Sequence, residues 1–384
     1  MPSLRTWDIF CTVVDNYGDI GVCWRLARQL AAEQGRQVRL WVDDLASFAK
    51  ICYDIVPGRD SQRIRGVEVR WWRAPFPAAS PADVVVEAFA CNPPADYVAA
   101  MAMRQPKPVW INLEFLSAEN WVQGCHALPS PHQSLPLVKH FFFPGFVDGT
   151  GGLLAEAGLA SARDRFQNSG AEQAAFWKTL DVPAPRADEP QVSLFCYPHD
   201  GVTALLRAWA ADSAPLRCFA PVGIAQQALS GFFATQDLAA GTLLRKGELE
   251  VRIFPFLDQD QYDRLLWACD LNLVRGEDSF VRAQWAARPL LWQIYPQADG
   301  AHWPKLDAFL GLYCHGLPAA INAATLRFWR AWNGGDGREI EAAWPEYWRH
   351  RMELRAHALN WALDLPKTGD LANNLVQFCE NLLK

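Results

Sequence analysis

Two distant stretches of this chain repeat one local pattern, and that pattern restricts the fold more than any other feature. In the first, Ile9-Phe10-Cys11-Thr12-Val13 leads into Val14-Asp15-Asn16-Tyr17-Gly18-Asp19-Ile20-Gly21 and then a helical stretch from Trp24 to Ala32. In the second, Leu271-Asn272-Leu273-Val274 leads into Arg275-Gly276-Glu277-Asp278-Ser279 and a helical stretch from Phe280 to Ala287. A short apolar run, a glycine-bearing turn and a helix start describe a strand-to-helix connection in a parallel sheet. Ligands of open α/β sheets bind outside the carboxyl ends of the strands, beside such connections. The pattern therefore predicts two α/β domains facing across a cleft that carries both acidic loops.

Further apolar runs extend the alternation. Trp7 to Val14 reads as a strand, Gly21 to Gln34 as a helix, and Gln37 to Val42 as a second strand ending at Asp43-Asp44. Asp83 to Phe89 and Pro108 to Leu113 are apolar at consecutive positions, as strands buried on both faces are. His126 to Gly152, rich in Pro, His and Gly, reads as an irregular segment lining or covering the cleft. The three prolines of Asp181 to Pro190 interrupt any helix and separate two β/α patterns, giving domains 1–182 and 191–360. The second pattern restarts at Gln191 to Tyr197 and continues through Leu216–Pro221, Leu249–Phe254, Leu271–Val274 and Pro289–Ile294. The chain reads as helical from Ala324, and 361–384 is expected to be a helix packing back on the first domain.

With 384 residues and 51% apolar content the chain can bury two cores and is not mainly disordered. A formal net charge of −6 supplies no basic footprint for nucleic acid or an anionic membrane. The opening Met1 to Asp8 lacks the apolar core of a signal peptide, and no apolar run approaches the ~18 residues of a membrane span. The 10 cysteines, from Cys11 to Cys379, show no C-x-x-C spacing and read as reduced thiols of a cytoplasmic protein. The 18 tryptophans include Trp71, Trp72, Trp329, Trp332, Trp344 and Trp348 in amphipathic contexts. They read chiefly as core and interface fillers, with sugar stacking as the alternative.

Several chemistries compete for the first loop. Gly18, Gly21 and a strand-end Asp43 suggest a dinucleotide site, but Asn16 stands where G-x-G-x-x-G needs its first glycine. An aspartate at that turn would also oppose a pyrophosphate. Asp15 and Asp19 could hold a divalent metal, yet no further ligand set follows. Asp19 could simply cap a helix beginning near Ile20, although two carboxylates and two glycines exceed what a cap needs. In the second loop, Asp278 or Ser279 could be caps. The grouping of Arg275, Glu277 and Ser279 at a helix start instead suits phosphate oxygens, with Glu277 accepting from ribose hydroxyls. Phe195-x-Tyr197 and Phe254-Pro255-Phe256 could sandwich a base or pack in a core. Thr150-Gly151-Gly152 could form an anion nest or a plain turn. His126, His132 and His140 near Cys125 resemble metal ligands only loosely.

Taken together, Asp15-Asn16-Tyr17-Gly18-Asp19-Ile20-Gly21-x-x-Trp24-Arg25-Leu26-Ala27-Arg28 resembles the opening motif of the bacterial protein-arginine rhamnosyltransferases that modify elongation factor P, the EarP family. The resemblance continues through Leu40 to Asp44, Asn112-Leu113-Glu114-Phe115-Leu116-Ser117, Phe143 to Phe146 and Thr150 to Leu153. It extends to Arg275 to Ser279 and Trp292-Gln293-Ile294-Tyr295-Pro296-Gln297, and so covers nearly the whole chain. It implies an α/β protein of the GT-B glycosyltransferase fold, with two Rossmann-like domains. The first would receive elongation factor P and the second would hold dTDP-β-L-rhamnose, whose sugar passes with inversion to one arginine side chain. By the same resemblance Asp19 matches a general base supported by Asp15, and Glu277 joins them as a catalytic candidate. Phe195, Tyr197, Phe256, Gln259, Arg275, Glu277, Asp278 and Ser279 match the donor pocket, and Asn16, Tyr17 and Gly18 lie near the sugar or acceptor. No metal or other cofactor is implied. A GT-B enzyme with a small-molecule acceptor and a non-catalytic partner-binding α/β protein stay open. Retention of Asp15, Asp19 and Glu277 argues against the second.

Overall fold

A computed structural model describes residues 4–15, 17–186 and 189–383. Two compact units divide the chain: one ends at Ala157 and takes in the chain again from Leu365, and the other is Gly158–Asp364. The proline-rich segment expected at the boundary thus lies inside the second unit. Its prolines stop a helix locally, but the aromatic anchors before it decide which core the chain joins. In the helices Leu159–Asn168 and Gly170–Thr179, Phe166 meets Trp267 at 5.8 Å and Trp177 stacks on Phe219 at 4.7 Å. Arg163, buried, donates to the Trp285 carbonyl at 2.9 Å.

The first unit is built on eight strands: β1 (Thr6–Cys11), β2 (Gln37–Val42), β3 (Ser61–Ile64), β4 (Val67–Trp71), β5 (Val84–Ala88), β6 (Val109–Leu113), β7 (Pro129–Pro131) and β8 (Val138–Phe142). Their order is β3-β4-β2-β1-β5-β6-β8-β7, parallel from β4 to β8, with antiparallel β3 and β7 at the edges. Strands covered on both faces must be apolar at consecutive positions, and Ile9, Phe10 and Cys11 with Val84, Val85 and Val86 are fully buried. Phe10 and Trp41 stack at 5.8 Å in a core that includes Tyr97, Met101 and Trp110.

The segment 126–152, read from sequence as irregular, contributes β7 and β8 to this sheet. Its apolar alternation is masked because Lys139 and His140 interrupt the strand for tertiary reasons. Lys139 pairs at 2.5 Å with the buried Glu87, and the His140 ring meets Phe378 at 5.7 Å. Gly151 and Gly152 serve close packing, and the Gly151 amide is taken by the Phe143 carbonyl at 2.7 Å. A Cβ on Gly151 would stand 2.5 Å from the Phe142 ring, and one on Gly152 (φ +75°) would stand 2.4 Å from the Gly369 carbonyl oxygen. The closing helix Leu371–Asn381, capped by Asp370, packs in this unit. Trp361 belongs to the preceding helix Arg351–Asp364 in the second unit, where its indole N–H donates to Gln284 at 2.8 Å. The expected 361–384 element is therefore divided between two helices and two units.

The second unit carries β9 (Gln191–Leu194), β10 (Leu216–Pro221), β11 (Leu243–Lys246), β12 (Leu249–Phe254), β13 (Leu271–Arg275) and β14 (Leu290–Gln293). The order is β11-β12-β10-β9-β13-β14, with β11 antiparallel. Helices from His302 to Asp364 bury Phe309, Trp329, Trp332 and Trp344. Trp7, Trp24, Trp41, Trp177, Trp209, Trp329, Trp332 and Trp344 are all fully buried, so these eight are core fillers. Among the described residues no helix is long and apolar enough to cross a membrane.

Both sheets change winding direction at their first strand. β1 lies between β2 and β5, and β9 lies between β10 and β13. Crevices open at such switch points, outside the carboxyl ends of the strands. The loops after β1 and β5 flank one crevice, and those after β9 and β13 flank the other.

Candidate active site

In the first unit, the helix Gly18–Ala32 begins three residues before the Gly21 start read from the sequence, and Asp19 is not its cap. Tyr17 takes the cap position and makes no side-chain cap bond. The Asp19 carboxylate reaches backward, accepting the N–H groups of Val14 and Asp15 at 2.8 Å each. Only 5% of Asp19 is exposed. That burial pushes its carboxyl above the usual range, against the two amide bonds, with the charges of Asp15 and Asp43 adding to the rise. Gly18 lets the Asp15 side chain lie close to the backbone, since a Cβ there would stand 2.8 Å from an Asp15 carboxylate oxygen. Asp43, the supposed ribose acid, accepts the Val13 and Asp44 amides at 2.9 and 2.8 Å and so pins the same loop. Tyr17 faces Lys50 at 5.8 Å. Asn16 lies outside the described residues. The crevice side of β1 thus presents a braced pair of acids, one holding its proton more tightly than an ordinary carboxylate.

The histidines noted from sequence have other partners. His126 accepts the Phe143 amide at 3.1 Å, and His132 accepts those of Ser134 and Leu135 at 3.3 and 3.1 Å. Among the described residues no group of three His, Cys, Asp or Glu side chains is arranged to hold a metal ion.

In the second unit the strand ends bring the predicted residues together. The Arg275 guanidinium, at the end of β13, lies 4.8 Å from the Phe195 ring and 4.5 Å from the Tyr197 ring. Phe195 meets Phe256 edge-on at 5.9 Å. Gly276 turns the chain at φ +62°, and its carbonyl accepts the Trp292 indole N–H at 2.8 Å. The helix Asp278–Trp285 then starts with Glu277 at the cap position, again without a side-chain cap bond. Ser279 donates its hydroxyl to the Arg275 carbonyl, and Asp278 accepts from Gln259 at 2.9 Å, so neither caps the helix. The Gln259–Asp278 bond ties the starts of two helices together, because Gln259 opens the helix Gln259–Ala268. Backbone N–H groups at such starts, with a guanidinium beside them, favour anionic oxygens.

Three further residues complete this cluster. Lys305 holds Glu277 at 3.1 Å, Gln293 accepts the Tyr197 amide at 2.7 Å, and Tyr295 meets the Tyr197 ring edge-on at 5.5 Å. Gln293 and Tyr295 lie in the Trp292 to Gln297 motif, which was a signal of importance without a role. Nothing local marks Lys305, which sits in the first turn of the helix His302–Tyr313.

A family profile described as Elongation-Factor P (EF-P) rhamnosyltransferase EarP matches residues 7–380. A protein-arginine rhamnosyltransferase of Pseudomonas putida is 50% identical over 383 residues, covering 98% of this chain and 99% of that protein. One from Pseudomonas aeruginosa is 49% identical over 375 residues, again covering 98% and 99%. A solved structure described as the structural basis for EarP-mediated arginine glycosylation of translation elongation factor EF-P superposes with a TM-score of 0.69 at 36% identity, covering 98% of this chain and 99% of that one. The spinosyn rhamnosyltransferase SpnG, complexed with thymidine diphosphate, superposes at 0.54 with 12% identity over 98% and 100% of the two chains, a likeness of fold alone. With two Rossmann-like units of the GT-B type and matches of this length and identity, the chain belongs to the EarP family of protein-arginine rhamnosyltransferases.

Proposed function

We propose that this protein transfers L-rhamnose from dTDP-β-L-rhamnose to one arginine side chain of elongation factor P, with inversion at the anomeric carbon. The observation that carries the chemistry is Asp19, a buried carboxylate held by two loop amides at 2.8 Å, with its proton affinity raised by burial. An arginine guanidinium is always protonated in water and is a poor nucleophile. A carboxylate in a water-poor crevice orients it, balances its charge and takes one N–H proton as the new bond forms. Asp15 supports that role. In the transfer the nitrogen–carbon bond forms at the anomeric centre while the bond from that carbon to the diphosphate oxygen breaks. The electron pair leaves with dTDP, the proton goes to Asp19, and the glycosylated guanidinium keeps its single positive charge.

The second unit is assigned to the donor. Phe195, Tyr197 and Phe256 supply faces for the thymine base, with Gln259 and Asp278 beside them. Arg275, Ser279 and the start of the helix Asp278–Trp285 stabilise the departing diphosphate without a metal ion. Glu277, held by Lys305, contacts the sugar or ribose hydroxyls. All ten thiols are unpaired, which supports a cytoplasmic setting alongside a translation factor. The test is incubation with elongation factor P and dTDP-β-L-rhamnose, followed by mass spectrometry of the peptides. One arginine peptide heavier by a single deoxyhexose is expected. Unmodified elongation factor P, with the donor consumed on a small-molecule acceptor, would refute the proposal.

A further inference from the structure

The motif Asn112-Leu113-Glu114-Phe115-Leu116-Ser117 takes no part in the assignments above. It ends β6, two strands from β1 across the switch point. Phe115 is 46% exposed and stacks on Phe89 at 4.6 Å, with the ring planes 21° apart. A single exposed phenyl ring is ordinary surface, but this pair is held by unusual backbone. Phe89, Ala90 and Asn92, just after β5, all adopt left-handed φ values of 56°, 54° and 52°. Bulky L residues rarely enter that region.

The motif itself braces the turn. The Phe89 amide donates to the Leu113 carbonyl at 2.7 Å, and the Ala90 amide donates to the Asn112 side chain at 3.1 Å. Asn112 in turn donates to Glu114 at 2.5 Å. Strained residues over-determined by their surroundings cluster at ligand clamps. Adjacent strands lie about 4.8 Å apart. The ends of β5 and β6 therefore stand roughly one and two strand spacings from the end of β1, which leads into the loop and helix start that carry Asp15 and Asp19.

We propose that the Phe89–Phe115 pair is the platform on which the acceptor arginine lies, its guanidinium plane on the exposed Phe115 ring and its N–H edge toward Asp15 and Asp19. The proposal rests on the reading of this protein as an arginine-modifying enzyme. A planar guanidinium stacks on an aromatic face, whereas the compact ammonium of lysine does not match that geometry. Asp15 and Asp19 after β1, Asp43 after β2 and Glu114 after β6 complement the same cation. Phe89 and Phe115 act as positioning residues that set the plane of the nucleophile and favour arginine.

The test is steady-state rhamnosyl transfer to elongation factor P by Phe115→Ala, Phe115→Leu and Phe115→Trp, with dTDP affinity by calorimetry and melting temperature alongside. The Ala and Leu variants should raise KM for elongation factor P about tenfold, equivalent to about 1.4 kcal/mol. dTDP affinity and melting temperature should stay near the wild type, turnover at saturating acceptor should fall several-fold because the plane of the nucleophile is no longer set, and the Trp variant should keep the wild-type KM and turnover. A wild-type KM in Phe115→Ala overturns the platform. A wild-type KM in Phe115→Leu overturns guanidinium stacking, since leucine keeps the apolar area without the ring face. Wild-type protein that leaves elongation factor P unmodified would instead remove the functional reading on which the platform stands.

Discussion

Replacing Asp19 by asparagine separates catalysis from folding. The substitution keeps the size of the side chain and an oxygen that can accept the Val14 and Asp15 amides, but removes the charge and the proton acceptor. Two charge-assisted bonds become neutral ones, a loss of about 1 kcal/mol each. Against this, the variant no longer places a charge in a site that is 5% exposed. Burial raises the proton affinity of Asp19 against the two amide bonds, so the folded crevice disfavours the charge relative to the unfolded chain. Asp19→Asn should therefore melt at or above the wild-type temperature, with about 1 kcal/mol corresponding to roughly 2–4 °C in a unit of this size. Asp19→Ala leaves both amides without their acceptor and should cost about 2–4 kcal/mol. Rhamnosyl transfer by Asp19→Asn should fall a hundredfold or more, about 2.7 kcal/mol of barrier, with the donor still bound. The assays are transfer to elongation factor P, dTDP binding by calorimetry and thermal melting. Near-normal turnover in a folded Asp19→Asn protein refutes the base assignment and moves it to Asp15 or Glu277. A melting temperature several degrees lower refutes the argument that burial dominates.

The same carboxylate sets a pH dependence. In the proposed reaction Asp19 is the base and must be ionised, so activity should fall as pH drops through a value above that of an ordinary carboxylate. Its folded pKa is raised, so its contribution to stability is present in acid and lost as pH rises through that pKa. The stability of Asp19→Asn relative to wild type should accordingly grow from acid toward neutral pH, and a difference that shrinks would contradict the sign. Tyr197→Ala and Phe256→Ala should each weaken dTDP-sugar binding by about 1–3 kcal/mol in calorimetry; unchanged affinity in both moves the base elsewhere. Glu277→Gln and Lys305→Met share the 3.1 Å pair, so their losses in kcat/KM should be less than additive, and strict additivity would deny the coupling. Gly152→Ala should destabilise by roughly 2–4 kcal/mol through backbone strain and its clash with Gly369, whereas Gly58→Ala, at φ +86° in open space, should cost only about 1–2 kcal/mol. Equal melting shifts would show that the packing seam at Gly152 is unimportant.

The sequence alone determined the α/β class, and its glycine turns placed the candidate site residues at the carboxyl ends of strands. Apolar runs, glycine turns and helix starts are local, so Val14 to Gly21 and Arg275 to Ser279 declare their position whatever the chain does elsewhere. Tertiary structure decided what those residues touch. Lys305 meets Glu277 from 28 positions away and Gln293 meets the Tyr197 amide across 96, separations that leave no periodic trace. The same holds for Asp43, whose strand-end position suggested ribose but whose carboxylate pins the loop beside Asp19. Prolines marked a break near Pro183, yet Phe166 and Trp177 had already committed the preceding helices to the second core. Lys139 and His140 concealed β8 because their partners, Glu87 and Phe378, come from remote parts of the chain. Local periodicity reports which face of an element is apolar. It carries no information about which distant side chain will meet that face, and at these strand ends the distant partners set the geometry and the proton affinity.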